Sequence, residues 1–308
     1  SSSGSSSSGS KPGASKAPRK GMQIRKGAPS NDVAMQLAAA GVLKADEEPI
    51  PTSASKDSGK PQVQKEAVHV EVDEVVSVLL NQDGGVESME LKGELTLEVA
   101  NADAGCVMVK VKRDSDMQLQ FRTHPNINKP RFNKQNVLAL KDPSKPFPAR
   151  VALNVLKWRF TSTNEADVPL LVSCWPSPGS GVLTVNMEYE LQADVELSDV
   201  VITIPIPGAN TPVVENVEGA YNVNRHGDLE WTIDLVDQSN ASGSMEFTIP
   251  YDGPASGLFP LAVSFTSAKP LSGISAGAVA AVDGGAPVQF SQVVQMRSEE
   301  DGYRVEYS

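Results

Sequence analysis

Three neighbouring segments decide the fold: Gln120-Phe-Arg-Thr-His-Pro-Asn-Ile-Asn-Lys129, Leu140-Lys-Asp-Pro-Ser-Lys-Pro-Phe-Pro148 and Val155-Leu-Lys-Trp-Arg-Phe160. In the last, Leu156, Trp158 and Phe160 alternate with Lys157 and Arg159. A period of two puts the apolar set on one face of a strand and the cations on the other. The prolines between the segments cannot join a central ladder, so they mark connections.

The same period runs outward from this stretch. Val68, Val70 and Val72 alternate with His69, Glu71 and Asp73, and Asp83-Gly84-Gly85 supplies a hairpin turn. Met89, Leu91, Leu95, Leu97 and Val99 resume the alternation. Val107, Val109 and Val111 face one way, while Met108, Lys110 and Lys112 face the other. Further strands are read at 170–173, 183–191, 200–206, 229–235, 245–249 and 261–266, then at 279–282 and 289–296 around a second Asp-Gly-Gly turn, and at 303–307. Short strands at this spacing, with almost no helical period, predict an all-β fold of antiparallel sandwiches. About 240 residues are many for one sandwich, so two stacked or nested sandwiches are expected.

The amino-terminal part reads differently. Residues 1–30 are Ser, Gly, Pro and Lys, read as a disordered linker. Residues 31–44 carry one short helix, capped by Ser30 or Asn31 and closed by Gly41, with Val33, Leu37 and Ala40 on one face as the residues that would dock on a partner. Residues 45–66 return to linker composition, and the β domain is read as 67–308.

Charge is divided along the chain. The net charge is -11, yet six basic and no acidic residues precede Asp32, and residues 67–308 carry 17 basic against 32 acidic ones. A body this acidic repels nucleic-acid backbone, so no nucleic-acid partner is expected. Two cysteines, Cys106 and Cys174, do not make a secreted disulfide framework and are read as reduced thiols. No apolar run reaches the ~18 residues of a membrane-spanning helix.

No catalytic constellation emerges. Gly273-Ile-Ser-Ala-Gly277 has the spacing of a nucleophile elbow, but no helix is read after it and His226, the last histidine, precedes it. His69, His124 and His226 are scattered, and metal-ligand spacing is absent. The reading is a non-enzyme without cofactor or metal. Trp158 and Trp231 are read as core, and Trp175 as core with more exposure, being at a strand end before Pro176. The outward cations Lys110, Lys112, Lys157 and Arg159 are the candidate peptide-binding residues, able to hold an acidic peptide by charge and strand-edge pairing.

Several longer motifs carry a resemblance. Thr123-His-Pro-Asn-Ile-Asn-Lys129, Val155-Leu-Lys-Trp-Arg159, Cys174-Trp-Pro-Ser177, Met187-Glu-Tyr-Glu-Leu191, Leu197-Ser-Asp-Val-Val-Ile-Thr-Ile-Pro-Ile-Pro207 and Ser242-Gly-Ser-Met-Glu-Phe247 resemble the delta-subunit family of coatomer, among the adaptor medium subunits. Gly21-Met-Gln-Ile24 resembles the start of that family's helical linker. The resemblance implies a mu-homology domain, with subdomain A at 67–175 and 269–308 and subdomain B inserted at 176–268. It also implies a coat subunit on the cytoplasmic side of Golgi membrane and COPI vesicles. The implied partners are beta-coatomer, the gamma and zeta subunits, Arf GTPase through the coat, and tryptophan-containing acidic peptides of endoplasmic-reticulum tethers and Arf GTPase activators. Clathrin-adaptor medium chains hold a cargo tyrosine with an acid on the first strand and a Trp-x-Arg on a late one. Here Glu71 aligns with the acid, but the late strand reads Gln292-Val-Val-Gln-Met296. Tyrosine-signal binding is therefore not expected.

Overall fold

A computed structural model describes residues 64–308, and among these alternation and turn chemistry set out seventeen strands. The predicted 31–44 helix, with Val33, Leu37 and Ala40, lies outside the described residues. The long strands β1 (Val68–Asn81) and β2 (Val86–Val99) form an antiparallel hairpin closed at Gly84, whose φ of 86° no β-branched residue adopts without strain. β3 (Val107–Arg113), β4 (Gln120–Thr123), the helix α1 (Lys129–Gln135), β5 (Val137–Leu138) and β6 (Leu153–Ser162) follow. Then come β7 (Leu170–Pro178), β8 (Leu183–Leu191), β9 (Leu197–Ile204), β10 (Val213–Val217), β11 (Ala220–Val223), β12 (Leu229–Val236) and β13 (Ser242–Ile249). β14 (Leu261–Ser267), β15 (Ile274–Ala281), β16 (Pro287–Val288) and β17 (Ser291–Glu306) complete the chain.

One nine-stranded sheet, in the order β11-β12-β9-β14-β17-β1-β2-β6-β4, backs two smaller four-stranded sheets. The sheet β16-β15-β3-β5 encloses the first core with it, and the sheet β10-β13-β8-β7 the second. The long strands run through both. On β1, Val68, Val70 and Val72 enter the first core and Val76, Val78 and Leu80 the second. On β2, Leu95, Leu97 and Val99 enter the first and Met89 and Leu91 the second. Glu74 and Gly93, paired across the hairpin, occupy the seam between them. The sequence-based boundary at 175/176 falls inside β7, whose Leu170, Val172 and Cys174 all join the second core.

Two local features differ from the sequence reading. The strands read separately at 289–296 and 303–307 are one element, β17, parallel to β1. Its pairing jumps from Ser298 opposite Val76 to Tyr303 opposite Val78, so residues 299–302 bulge out of the ladder. Their charged, Gly-ending composition reads as a turn, and Asp301 has a φ of 55°. The other is α1, whose signals are short-range. Asn128 accepts from the Arg131 amide at 3.1 Å, Pro130 sits in the first turn, and Asn136 closes the helix at φ 54°. Seven residues give too few apolar repeats for a period to show.

Candidate functional site

The site begins with what fixes β6. Leu153, Val155, Leu156 and Trp158 are buried in the first core, so the parity of the strand sends Lys157 and Arg159 outward, each side chain 58% exposed. Trp158 is held by three features of the seam. Its ring lies over Gly93, where a Cβ would collide with the indole. Its Nε1 donates to Glu74 Oε1 at 2.8 Å. The other oxygen of Glu74 accepts the backbone amides of Leu271 at 2.6 Å and Ser272 at 3.3 Å, on the segment between β14 and β15. Glu74 is fully buried, and desolvation raises its pKa despite these donors. The buried carboxyl group, hydrogen-bonded to Trp158, Leu271 and Ser272, ties β1, β6 and the returning chain together.

Register then assembles the outer face. Lys157 stands opposite Arg122 of β4 on one side and Glu94 of β2 on the other. Arg159 stands opposite Gln120 and Lys92. Lys157 Nζ lies 3.2 Å from Glu94, and Arg159 Nε donates to Glu90. Lys92 also pairs with Glu90 at 2.7 Å, and this bond, ahead of the one from Arg159, holds the Glu90 carboxyl below its ordinary pKa. On β4, β6 and β2 four cations (Lys92, Arg122, Lys157, Arg159) therefore stand with Glu90 and Glu94, while Asp73 of β1 lies opposite Glu94 and Glu299 acts on Lys92 from β17. Exposed ion pairs contribute only about 0–1 kcal/mol each, so an incoming carboxylate can displace Glu90 or Glu94 at little cost. β4 ends the nine-stranded sheet, and among the described residues no strand pairs with its outer edge. At the Arg159 end the face deepens into a cleft of about 670 Å³, lined by Ser77, Glu90, Thr161 and Arg304 and by Gly302 of the β17 bulge.

The four cations chosen from sequence do not form one surface. Val107, Val109 and Val111 of β3 point into the same core as Trp158, from the opposing sheet. Lys110 and Lys112 therefore leave the sandwich on its other side. Lys110 Nζ donates to the Gln135 carbonyl at the end of α1, and Lys112 lies 2.6 Å from Asp114. Alternation assigns a side of a strand, but not which sheet the strand joins. Register, which no local pattern shows, brings Arg122 and Lys92 beside Lys157 and Arg159.

The remaining tryptophans separate. Trp231 is fully buried, its Nε1 donating to the Glu218 carbonyl at 2.7 Å. Trp175 is 38% exposed rather than core, because Cys174 beside it takes the inward position. Both cysteines are free, and burial pushes the Cys174 thiol up to about 12. Glu71 stands beside β17 opposite Val293, with His69 Nε2 at 3.4 Å and Lys65 Nζ at 3.9 Å. Among the described residues there is no group of three or more side chains suited to a metal, and no helix long and apolar enough to cross a membrane.

The sequence pattern of the adaptor complexes medium subunit family matches residues 54–306. The chain belongs to this family. Coatomer subunit delta-1 of Oryza sativa subsp. japonica is 35% identical over 276 residues, covering 88% of this chain and 52% of that protein. The chain thus spans about half the length of the curated relatives it matches. The yeast delta-COP-I mu-homology domain superposes with a TM-score of 0.70 at 26% identity, over 80% of this chain and 100% of that one. The same yeast domain complexed with a Dsl1 WxWxV peptide gives 0.69 at 26% identity, again over 80% of this chain and 100% of that one. The family member described here has the mu-homology fold, two sandwiches sharing one long sheet.

Proposed function

We propose that this chain is the linker and mu-homology domain of a delta-type subunit of the COPI coatomer, a non-enzymatic coat protein acting in Golgi-to-endoplasmic-reticulum and intra-Golgi transport. In this reading it works on the cytoplasmic face of Golgi membrane and vesicles, with beta-, gamma- and zeta-type coat subunits and with Arf through the coat. Its β domain binds tryptophan-containing acidic peptides of tethers and Arf regulators. The observation that carries the reading is the likeness, over the whole length of the yeast domain, to a structure holding a WxWxV peptide. We place the peptide on the outer face of β4, β6 and β2, with its acidic residues against Arg122, Lys157, Arg159 and Lys92 and its backbone along the free edge of β4. Lys110 and Lys112, on the far side of the sandwich, stand outside this surface.

The reading is tested by calorimetry with an acidic peptide containing Trp-x-Trp-x-Val, beside its double Trp→Ala version and a Tyr-x-x-hydrophobic peptide. Saturable binding of the first alone is expected. Equal binding of the Trp→Ala peptide would remove the tryptophan reading, and saturable binding of the tyrosine peptide would favour a clathrin-adaptor type of recognition.

A further inference from the structure

The outer face of the sheet β10-β13-β8-β7 contrasts with the β6 face in every respect. Trp175, Asn186, Glu246 and Asn216 stand in one cross-strand row, and Ser173, Glu188 and Ser244 in the next. Glu190 follows, opposite Leu171 and Ser242. Trp175, Glu188 and Glu190 are exposed, and not one lysine or arginine occurs on the four strands. No ion pair joins Glu188, Glu190 or Glu246 to another described residue. The surroundings deepen the field: residues 168–268 hold thirteen carboxylates and a single cation, Arg225. An exposed indole among unneutralised carboxylates suits lysine and arginine side chains, which gain both charge pairing and cation–π contact.

The chain carries a segment of that chemistry. Lys11, Lys16, Arg19, Lys20, Arg25 and Lys26 lie in sixteen residues without one acid. Residues 27–63 separate them from the described body. At ~3.3–3.6 Å per residue these can reach on the order of 120 Å, against a body about 45 Å across. Tethering raises the local concentration of such a segment to roughly the millimolar range, enough for a charge-driven contact that would be weak between separate molecules.

We infer that the basic segment 11–26 docks on the Trp175–Glu188–Glu190–Glu246 face of its own second sandwich. This contact is independent of where acidic peptides bind. The test is zero-length carbodiimide coupling of the full 308-residue chain at low ionic strength, read by peptide mass spectrometry on an equal mixture of 15N-labelled and unlabelled protein. Couplings from Lys11, Lys16, Lys20 and Lys26 should concentrate on Glu188, Glu190 and Glu246, within single chains. They should fall at least fivefold at 0.5 M salt and in the double variant Glu188→Gln/Glu190→Gln, whose exposed positions leave the melting temperature unchanged. Trp175→Ala should reduce them less. Couplings spread equally over first-sandwich carboxylates such as Glu94 and Glu98 would overturn the inference. So would couplings mainly between labelled and unlabelled chains, or none from the basic segment at all.

Discussion

The two sandwiches share a sheet but solve opposite problems with similar residues. Outside residues 168–268, the segment that supplies most of the second sandwich, the rest of 67–308 nearly balances its charge, with sixteen basic and nineteen acidic residues; the first sandwich lies within that rest. It carries its polar pin inside: Glu74 and Trp158 sit at the seam, and cations decorate the outer face of β6. The second packs its core with Trp231, Phe247 and Tyr303 and carries its carboxylates outside. Trp158 and Trp175 sharpen the contrast. Both stand on β-strands, yet the side of the strand each occupies makes the first a structural anchor and the second a surface ring. Residue type alone does not assign a role; the neighbour on the strand does.

Trp158→Ala removes a buried indole and strips Glu74 of a donor, so a loss of about 3–5 kcal/mol is expected in urea unfolding. A loss under about 1 kcal/mol would mean that the seam is not an anchor. Gly93→Ala drives a methyl group into the same ring and should cost about 1–3 kcal/mol by overpacking, with Trp158 fluorescence shifted. A third outcome concerns pH. Burial raises the folded-state pKa of Glu74 above its ordinary value of 4.5, so its contribution is present in acid and lost as pH rises through the folded pKa. Wild type should therefore lose stability relative to Glu74→Gln as pH rises above about 4.5. A difference independent of pH would remove the linkage. Trp175→Ala should be the mildest, within about 0.5 kcal/mol; a larger loss would show that the ring is packed after all.

Much of this fold was legible because strand alternation is a local signal. The β1–β2 hairpin and the inward faces of β3 and β6 follow from period two and a Gly turn. Family membership was legible in long motifs such as Leu197–Pro207, which need no three-dimensional knowledge. The proposed site was only half legible. Lys157 and Arg159 could be placed outward, but their neighbours Arg122 and Lys92 are set by sheet order, which is a long-range property. That same blindness merged Lys110 and Lys112 with them. Glu74 was hidden because a carboxylate in an alternating valine strand has a local pattern like that of any seam or edge residue; only the distant Trp158 and Leu271 explain it. The β17 bulge was read as a turn because its composition is that of a turn.

In the proposed function, acidic tryptophan peptides are held by the β4–β6–β2 face and not by the β3 side. Titrating one such peptide into Lys157→Glu/Arg159→Glu and into Lys110→Glu/Lys112→Glu tests it directly. Both pairs are exposed on the same sandwich and change net charge equally, so a general field effect would weaken both alike. The first variant is expected to bind at least tenfold more weakly, about 1.4 kcal/mol, with unfolding unchanged, and the second within about twofold of wild type. Equal losses, or a larger loss in the β3 variant, would contradict the placement.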